Sequence, residues 1–293
     1  HQYVDANAQP VTTMTGMQPL HWKHAQVREP AYSRRSARGV TQFHVGTGFS
    51  YTLPFVGVLP TLPAINNDLE LNVVTQHIND FIALGEAQWN DGREDAYWSG
   101  KNYGKVAELI ALADELALTA QRDQLLTWLK AELTDWFTAA SDDGLDEQQY
   151  FAYDATWDTL FAMEESFASH QQLNDHHFHY GYLVRAAAEV CRFDASWCSE
   201  SQYGPMIELL IRDYAGGRED DMFPYLRHFD PANGFSWASG RVNFVRGNNN
   251  ESTSEAANSY GAMILYGMLT DNDEIRDRGI YLHASTAAAY WQY

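Results

Sequence analysis

Apolar residues recur at helical spacing along most of the chain after Asn67, and this periodicity constrains the fold more than any other feature. Residues three and four positions apart lie on one face of a helix, so each apolar stripe predicts a helix with one buried face. Further helical runs are predicted at about 174–191, 204–215, 252–269 and 272–291. Seven or more helices joined by long loops predict an all-α domain of paired helices. The three clearest stripes are Val74, Ile78, Phe81 and Ile82; Val106, Leu109, Ile110, Ala113 and Leu116; and Leu125, Leu126, Leu129, Leu133, Trp136 and Phe137.

Residues 1–65 lack this periodicity. Their short apolar runs are interrupted by Pro54, Pro60 and Pro63, and proline both breaks helices and removes a donor from a strand ladder. We therefore expect an irregular, extended, linker-like segment at 1–65, followed by a helical domain at 66–293.

The charge balance limits the possible partners. The chain has 39 Asp plus Glu against 19 Lys plus Arg, a formal net charge of −20. Such a field repels nucleic acid and anionic membrane surfaces, and no apolar run is long enough to span a bilayer. We expect no nucleic-acid or membrane partner. A neutral polymer such as a polysaccharide is not repelled, and an acidic, well-solvated surface fits the secreted, extracellular location that we expect.

The two cysteines, Cys191 and Cys198, are seven positions apart. They could close a small disulfide in an oxidising compartment, whereas their spacing is not that of a metal site. The sequence leaves open whether they are bonded.

The segment NDHHFHYGY, residues 174–182, combines one carboxylate, Asp175, with three histidines and three aromatic residues. A carboxyl group that aromatic rings screen from water keeps its proton to higher pH, as a general acid requires. Asp175 could instead be the N-cap of the helix that follows. A third interpretation is a zinc site through His177 and His179, but no second cluster of suitable spacing accompanies them.

Two further carboxylates, Glu251 and Glu255, lie in NNNESTSEAAN at 248–258. Like charges four positions apart raise the proton affinity of at least one group, which can then act as a base. Residues 252–255 also fit a capping box, in which Ser252 is the N-cap and Glu255 reaches back to it. Glu251 has no such competing role and lies beside three asparagines, so this reasoning favours it slightly as the base. An acid and a base in separate segments are what glycoside hydrolysis requires.

Together these segments resemble glycoside hydrolase family 81, the endo-β-1,3-glucanases. The resemblance covers nearly the whole chain. The matching stretches are PLHWKH at 19–24, FSYTLPFVGVLPTLP at 49–63, YFAYDATW at 150–157, LNDHHFHYGYLVRAAAEV at 173–190, FDPANGFSWASG at 229–240 and NNNESTSEAAN at 248–258.

The resemblance implies an (α/α)6 toroid that hydrolyses internal β-1,3 linkages of glucans such as laminarin or curdlan. It also implies inversion at the anomeric carbon, and neither a metal nor another cofactor. The acid of the family motif falls on Asp175. The two glutamates of its ESxSE motif fall on Glu251 and Glu255, one of which is the base.

Four residues in or beside these motifs are candidates for lining the sugar subsites, although each could equally be a packed ring or a satisfied loop residue. The family's N-terminal β-sandwich is expected to be absent from this chain and its toroid incomplete. A completing domain or segments would then be partners, and the alternative function is β-glucan binding without turnover. The four candidates are Asp154, Trp157, His179 and Trp237.

Overall fold

The structure, a computed structural model, describes residues 1–27, 29–61, 67–141, 144–238, 245 and 252–293. Ten helices and nine strands lie within these ranges. The helices are α1 (Pro19–Trp22), α2 (Asp68–Ala83), α3 (Glu86–Trp89), α4 (Ala96–Glu115), α5 (Thr119–Trp136), α6 (Ser169–Gln172), α7 (His176–Phe193), α8 (Gly204–Ala215), α9 (Thr253–Leu269) and α10 (Asp273–Gln292). The strands are β1 (Thr13–Met17), β2 (Tyr32–Ser36), β3 (Gly39–Gly46), β4 (Ala140–Ser141), β5 (Gly144–Leu145), β6 (Tyr150–Asp154), β7 (Thr159–Met163), β8 (Phe229–Asp230) and β9 (Phe235–Ser236).

The long helices confirm the periodicity argument. The three apolar stripes fall on α2, α4 and α5, and the four further predicted runs fall on α7, α8, α9 and α10. None of the helices in the described ranges combines the length and apolar character that a bilayer crossing needs. The chain divides into two compact units: residues 1–56, 229–236 and 281–293 form the first, and residues 57–228 and 237–280 form the second.

The first unit contains an antiparallel three-stranded sheet in the order β1–β3–β2. The prediction of an irregular segment at 1–65 is therefore wrong for these strands. Thr13 pairs with Gly46 at one end of the β1–β3 ladder, while Ser36 pairs with Gly39 where β2 turns into β3. Gly39 has φ of +101°, which only glycine adopts readily, so the turn closes at this position. A small apolar cluster in this unit contains Leu20, Phe235 and Ala289, with Leu53 and Tyr293 packed against it.

Helix α7 is the central element of the second unit, packing against α4, α5, α8 and α9. Two glycines allow its closest approaches. A Cβ added to Gly100 on α4 would lie 3.0 Å from Cβ of Tyr182 on α7, and one added to Gly181 on α7 would lie 2.5 Å from Cβ of Ser259 on α9. A larger residue at either position would push the helices apart. These contacts bring the N-terminal halves of α4, α7 and α9 together.

Two of the segments expected to be loops are β-hairpins. Strands β6 and β7 pair from Tyr150 with Met163 to Asp154 with Thr159, and β8 pairs with β9. The expectation of an all-α domain of paired helices thus missed these local sheets, which lie between helices along the chain. At the other end of α7, Cys191 and Cys198 are joined by a disulfide, which resolves the alternative that the sequence left open.

Candidate active site

Asp175 occupies the N-cap position of α7, but its side chain does not cap the helix. Its backbone lies in the left-handed region, with φ of 62°, and the side chain makes no capping hydrogen bond. Asn174 Nδ2 donates instead to Asp175 Oδ2 (2.8 Å) and to the carbonyl oxygen of Phe167 (3.0 Å). The Asp175 backbone N–H donates to the carbonyl oxygen of Ala238 (2.7 Å). The position was correctly interpreted as an N-cap, whereas a capping role for the carboxyl group is not what the structure has.

The start of α9 departs from the capping box in the same way. Ser252 is left-handed, with φ of 52°, and makes no side-chain capping hydrogen bond. Glu255 accepts a hydrogen bond from Tyr182 Oη at its Oε1 (3.0 Å), and Lys101 Nζ lies 3.9 Å from the same oxygen. The expectation that Glu255 reaches back to Ser252 is therefore wrong. Its side chain is 13% exposed, so it is largely buried but open to a small reactant.

Aromatic rings connect the two carboxyl groups. The ring centroid of Tyr97 lies 4.9 Å from that of Phe167, 5.1 Å from that of His179 and 6.3 Å from that of Tyr182. Phe167 is tied to Asp175 through Asn174, and Tyr182 bonds Glu255 directly. A chain of contacts thus runs from Asp175 through Asn174, Phe167, Tyr97 and Tyr182 to Glu255. We call its ring cluster the aromatic bridge: Tyr97, Phe167, His179 and Tyr182.

Sequence reasoning missed most of this neighbourhood. Tyr97 and Trp98 each lie within one turn of Lys101 on α4, whose ammonium group is 5.1 Å and 5.6 Å from their ring centroids. The available signal was this group of aromatic and basic residues at the start of an otherwise apolar helix. Trp98 and Phe167 are 40% and 56% exposed, so they offer flat apolar faces of the kind that stack on sugar rings.

The hydroxyl groups of Tyr97 and Tyr182 stay protonated because they are buried near the charge of Glu255. Burial, followed by the charge of Glu255, raises the pKa of the Tyr182 hydroxyl. Burial likewise raises the pKa of Tyr97, although Lys101 opposes this. Both hydroxyls therefore retain their protons at neutral pH, and Tyr182 can donate to a carboxylate.

Two histidines of the 174–182 segment, His177 and His179, are buried and uncharged at neutral pH. Burial lowers the pKa of His177 to about 3, and the same cause, with smaller repulsion from neighbouring histidines, lowers that of His179 well below its ordinary value. Within the described part of the chain, no three His, Cys, Asp or Glu side chains are arranged to hold a metal ion. His177 and His179 are packed residues of α7 in this structure.

The remaining candidates have local roles. Asp154 Oδ1 accepts hydrogen bonds from the backbone N–H groups of Thr156 (2.7 Å) and Trp157 (3.1 Å), which closes the β6–β7 turn. Trp157 lies on that turn and is 63% exposed. Trp237 is half-buried, and its backbone N–H donates to the carbonyl oxygen of His228 (3.0 Å). Glu251 lies outside the described residues.

Comparison with known proteins identifies relatives over most of the chain. Residues 70–293 match the family described as the glycosyl hydrolase family 81 C-terminal domain. The chain is 40% identical to a glucan endo-1,3-beta-D-glucosidase of Thermobifida fusca, covering 96% of this chain and 37% of that protein. It is 38% identical to a glucan endo-1,3-beta-D-glucosidase of Acetivibrio thermocellus, covering 95% of this chain and 36% of that protein.

A solved structure agrees with the sequence matches. An alanine-for-glutamate mutant of glycoside hydrolase family 81 from Clostridium thermocellum superimposes with a TM-score of 0.89 at 37% identity, covering 97% of this chain and 39% of that one. The chain thus spans less than two fifths of the length of these relatives.

Proposed function

Because the chain belongs to glycoside hydrolase family 81, we propose that it hydrolyses internal β-1,3 linkages of a glucan such as laminarin or curdlan. The observation that carries this proposal is the aromatic bridge, which links Asp175 on α7 to Glu255 on α9. Neither carboxyl group makes the helix-capping bond that its position offers. Asn174 holds the carboxyl group of Asp175, and Tyr182 holds that of Glu255.

Asp175 is the general acid in this proposal. Its carboxyl proton passes to the glycosidic oxygen as the bond from that oxygen to the anomeric carbon breaks. The side chain lies where α7 begins, held by Asn174. Asn174 also donates to the backbone carbonyl oxygen of Phe167, whose ring packs against that of Tyr97.

Glu255 is the preferred base, with Glu251 as the second candidate. The base removes a proton from water while the water oxygen attacks the anomeric carbon from the opposite face, which inverts the configuration. Glu255 accepts a hydrogen bond from Tyr182 and lies near the Lys101 ammonium group. These neighbours suit an ionised carboxylate, the form that a base requires.

The finer features of the family are proposed for this chain as well. We propose that the helices packed around α7 form part of an (α/α)6 toroid, and that Asp154, Trp157, His179 and Trp237 contribute to sugar subsites. The exposed ring of Trp157 supports such a role. A secreted location is supported by the disulfide between Cys191 and Cys198, because disulfides persist in oxidising compartments.

Digestion of β-1,3-glucan tests this function. We expect the 293-residue chain to release reducing sugar and internal fragments from laminarin, and none from the β-1,4-linked glucan cellulose, which serves as the matched control. Proton NMR of the first products should show α-anomers before mutarotation. Products with β-anomers first would contradict inversion.

A second function, glucan binding without turnover, has its own supporting observation. Trp98, Trp157 and Phe167 are exposed aromatic side chains, which can grip a polysaccharide whether or not hydrolysis follows. Retention on insoluble curdlan with no soluble product would favour this binding function over hydrolysis.

A further inference from the structure

A buried carboxylate next to the candidate acid has no part in the mechanism described above. Asp213 on α8 is fully buried, and a buried carboxylate is stable only where donors compensate its charge. His176 Nδ1 lies 2.6 Å from Asp213 Oδ2. The backbone N–H of Leu160 and the hydroxyl of Thr159 donate to Asp213 Oδ1 at 2.9 and 2.8 Å.

Arg227 completes the surroundings of this carboxylate. Its Nε donates to the carbonyl oxygen of Asp213 (3.0 Å), and its guanidinium group lies 3.4 Å from Asp213 Oδ1. Burial alone would favour the neutral acid, yet His176 and Arg227 hold the pKa of Asp213 below its ordinary value. An ionised carboxylate only accepts hydrogen bonds, so the proton between the two side chains is on Nδ1 of His176.

The bond from His176 fixes the first turn of α7. His176 directly follows Asp175 and is the first residue of the helix. Asp175 lies between two residues that are each anchored by hydrogen bonds, so the backbone that carries its side chain is fixed on both sides. Asn174 is anchored to Phe167 on one side, and His176 is anchored to Asp213 on the other.

We propose that Asp213, through its hydrogen bond with His176, positions Asp175 for proton donation to the glycosidic oxygen. This inference rests on the proposed hydrolase function. Asp213 and His176 are positioning residues, since they act through the backbone that carries Asp175. The same carboxylate also holds β7 through Leu160, so one buried charge sets the geometry of the hairpin and of the helix start.

Three variants separate positioning from general packing. His176→Leu removes the donor at similar volume, whereas His176→Asn keeps an N–H near the place of Nδ1. Tyr180→Phe is the matched control, because Tyr180 Oη ties α7 to β7 by donating to the Leu160 carbonyl oxygen (2.8 Å) instead of to Asp213, and phenylalanine keeps the ring that packs against His176. Should His176→Leu fail to fold, the isosteric Asp213→Asn replaces it.

The diagnostic readout compares two leaving groups. Laminarin needs a proton from the acid, whereas a β-1,3-linked oligosaccharide carrying fluoride at its reducing end does not, because fluoride leaves as a stable anion. A small misplacement of a reacting group can lower the rate about 100-fold, so we expect His176→Leu to lower kcat on laminarin by about that factor with little change in KM. On the fluoride we expect less than about a threefold change, because general-acid assistance is no longer needed.

The outcomes are distinct for each proposal. Recovery of most laminarin activity in His176→Asn, with Tyr180→Phe near the unaltered protein, would support positioning. Equal losses on laminarin and on the fluoride, or equal losses in His176→Leu and Tyr180→Phe, would overturn it while leaving the hydrolase function intact. An unaltered chain that cleaves neither substrate would overturn the hydrolase function, and the positioning role with it.

Discussion

Helices α4 and α7 both begin after an aspartate, yet the two side chains behave differently. Asp95, before α4, has extended backbone with φ of −90° and accepts hydrogen bonds from the N–H groups of Tyr97 and Trp98 at 3.0 Å each. Asp175, before α7, is left-handed and makes no such bond. The comparison shows that residue type and helix position do not fix the role of an N-cap aspartate. The backbone conformation decides whether the carboxyl group caps its own helix, as Asp95 does, or bonds a neighbour such as Asn174.

The start of α9 follows the α7 pattern rather than the α4 pattern. Ser252 is left-handed and uncapped, and the nearby Glu255 bonds Tyr182 instead. Left-handed backbone is unfavourable for residues other than glycine and persists only where the surrounding structure fixes it. These two uncapped, left-handed helix starts carry the candidate acid and the preferred base, and α6 begins in the same way after Ala168.

The largest effect is expected at the base. We predict that Glu255→Gln lowers kcat on laminarin by about 100- to 1,000-fold, since general-base assistance contributes on that order. Glu251→Gln serves as the matched variant and should lose less. A greater loss in Glu251→Gln would show that Glu251 is the base. The uncapped start of α9 would then not mark the residue that acts as the base.

Acidification should lower the free energy of unfolding through His177, a buried residue in the first turn of α7. In the unfolded chain a histidine takes up a proton near about pH 6.5, whereas folded His177 does so only near pH 3. The unfolded state therefore binds more protons between these values, so the free energy of unfolding falls as pH is lowered through this window. Urea midpoints at about pH 7 and about pH 4.5 should differ less in His177→Gln than in the unaltered protein. The exposed His77→Gln variant should keep the full difference; equal behaviour of both variants would contradict the prediction.

The smallest effect on activity is expected for Asp95, the residue that caps α4. Asp95→Ala removes two hydrogen bonds to the first turn of α4 and should lower the free energy of unfolding by about 1 kcal/mol. Urea denaturation would measure this change, with kcat on laminarin altered only a few-fold. Unchanged stability would show that α4 does not depend on its cap, which would remove one side of the comparison.

Sequence alone predicted those features that depend on near neighbours. Helical stripes such as Val74 to Ile82 are local, so α2 and the later long helices were correct. The sheet at 13–46 was missed because β1 pairs with β3, which is distant along the chain, and strand pairing depends on such contacts more than on local preference.

The candidate site shows the same limit. Motifs identified Asp175 and Glu255, but Tyr97 and Tyr182 meet only because Gly100 lets α4 approach α7. The capping box in 252–255 was a sound local prediction, and the hydrogen bond from Tyr182 on α7 replaces it. Packing between α7 and α9 thus decides which hydrogen bond Glu255 makes.

Paired kinetics and unfolding of Asp175→Asn test the central claim most directly. Because asparagine keeps the shape of the side chain and an oxygen that can accept from Asn174 but has no acidic proton, we predict a fall in kcat on laminarin of about 100-fold or more with the urea midpoint of unfolding nearly unchanged. A variant that keeps most of its activity on laminarin would contradict the assignment of Asp175 as the acid.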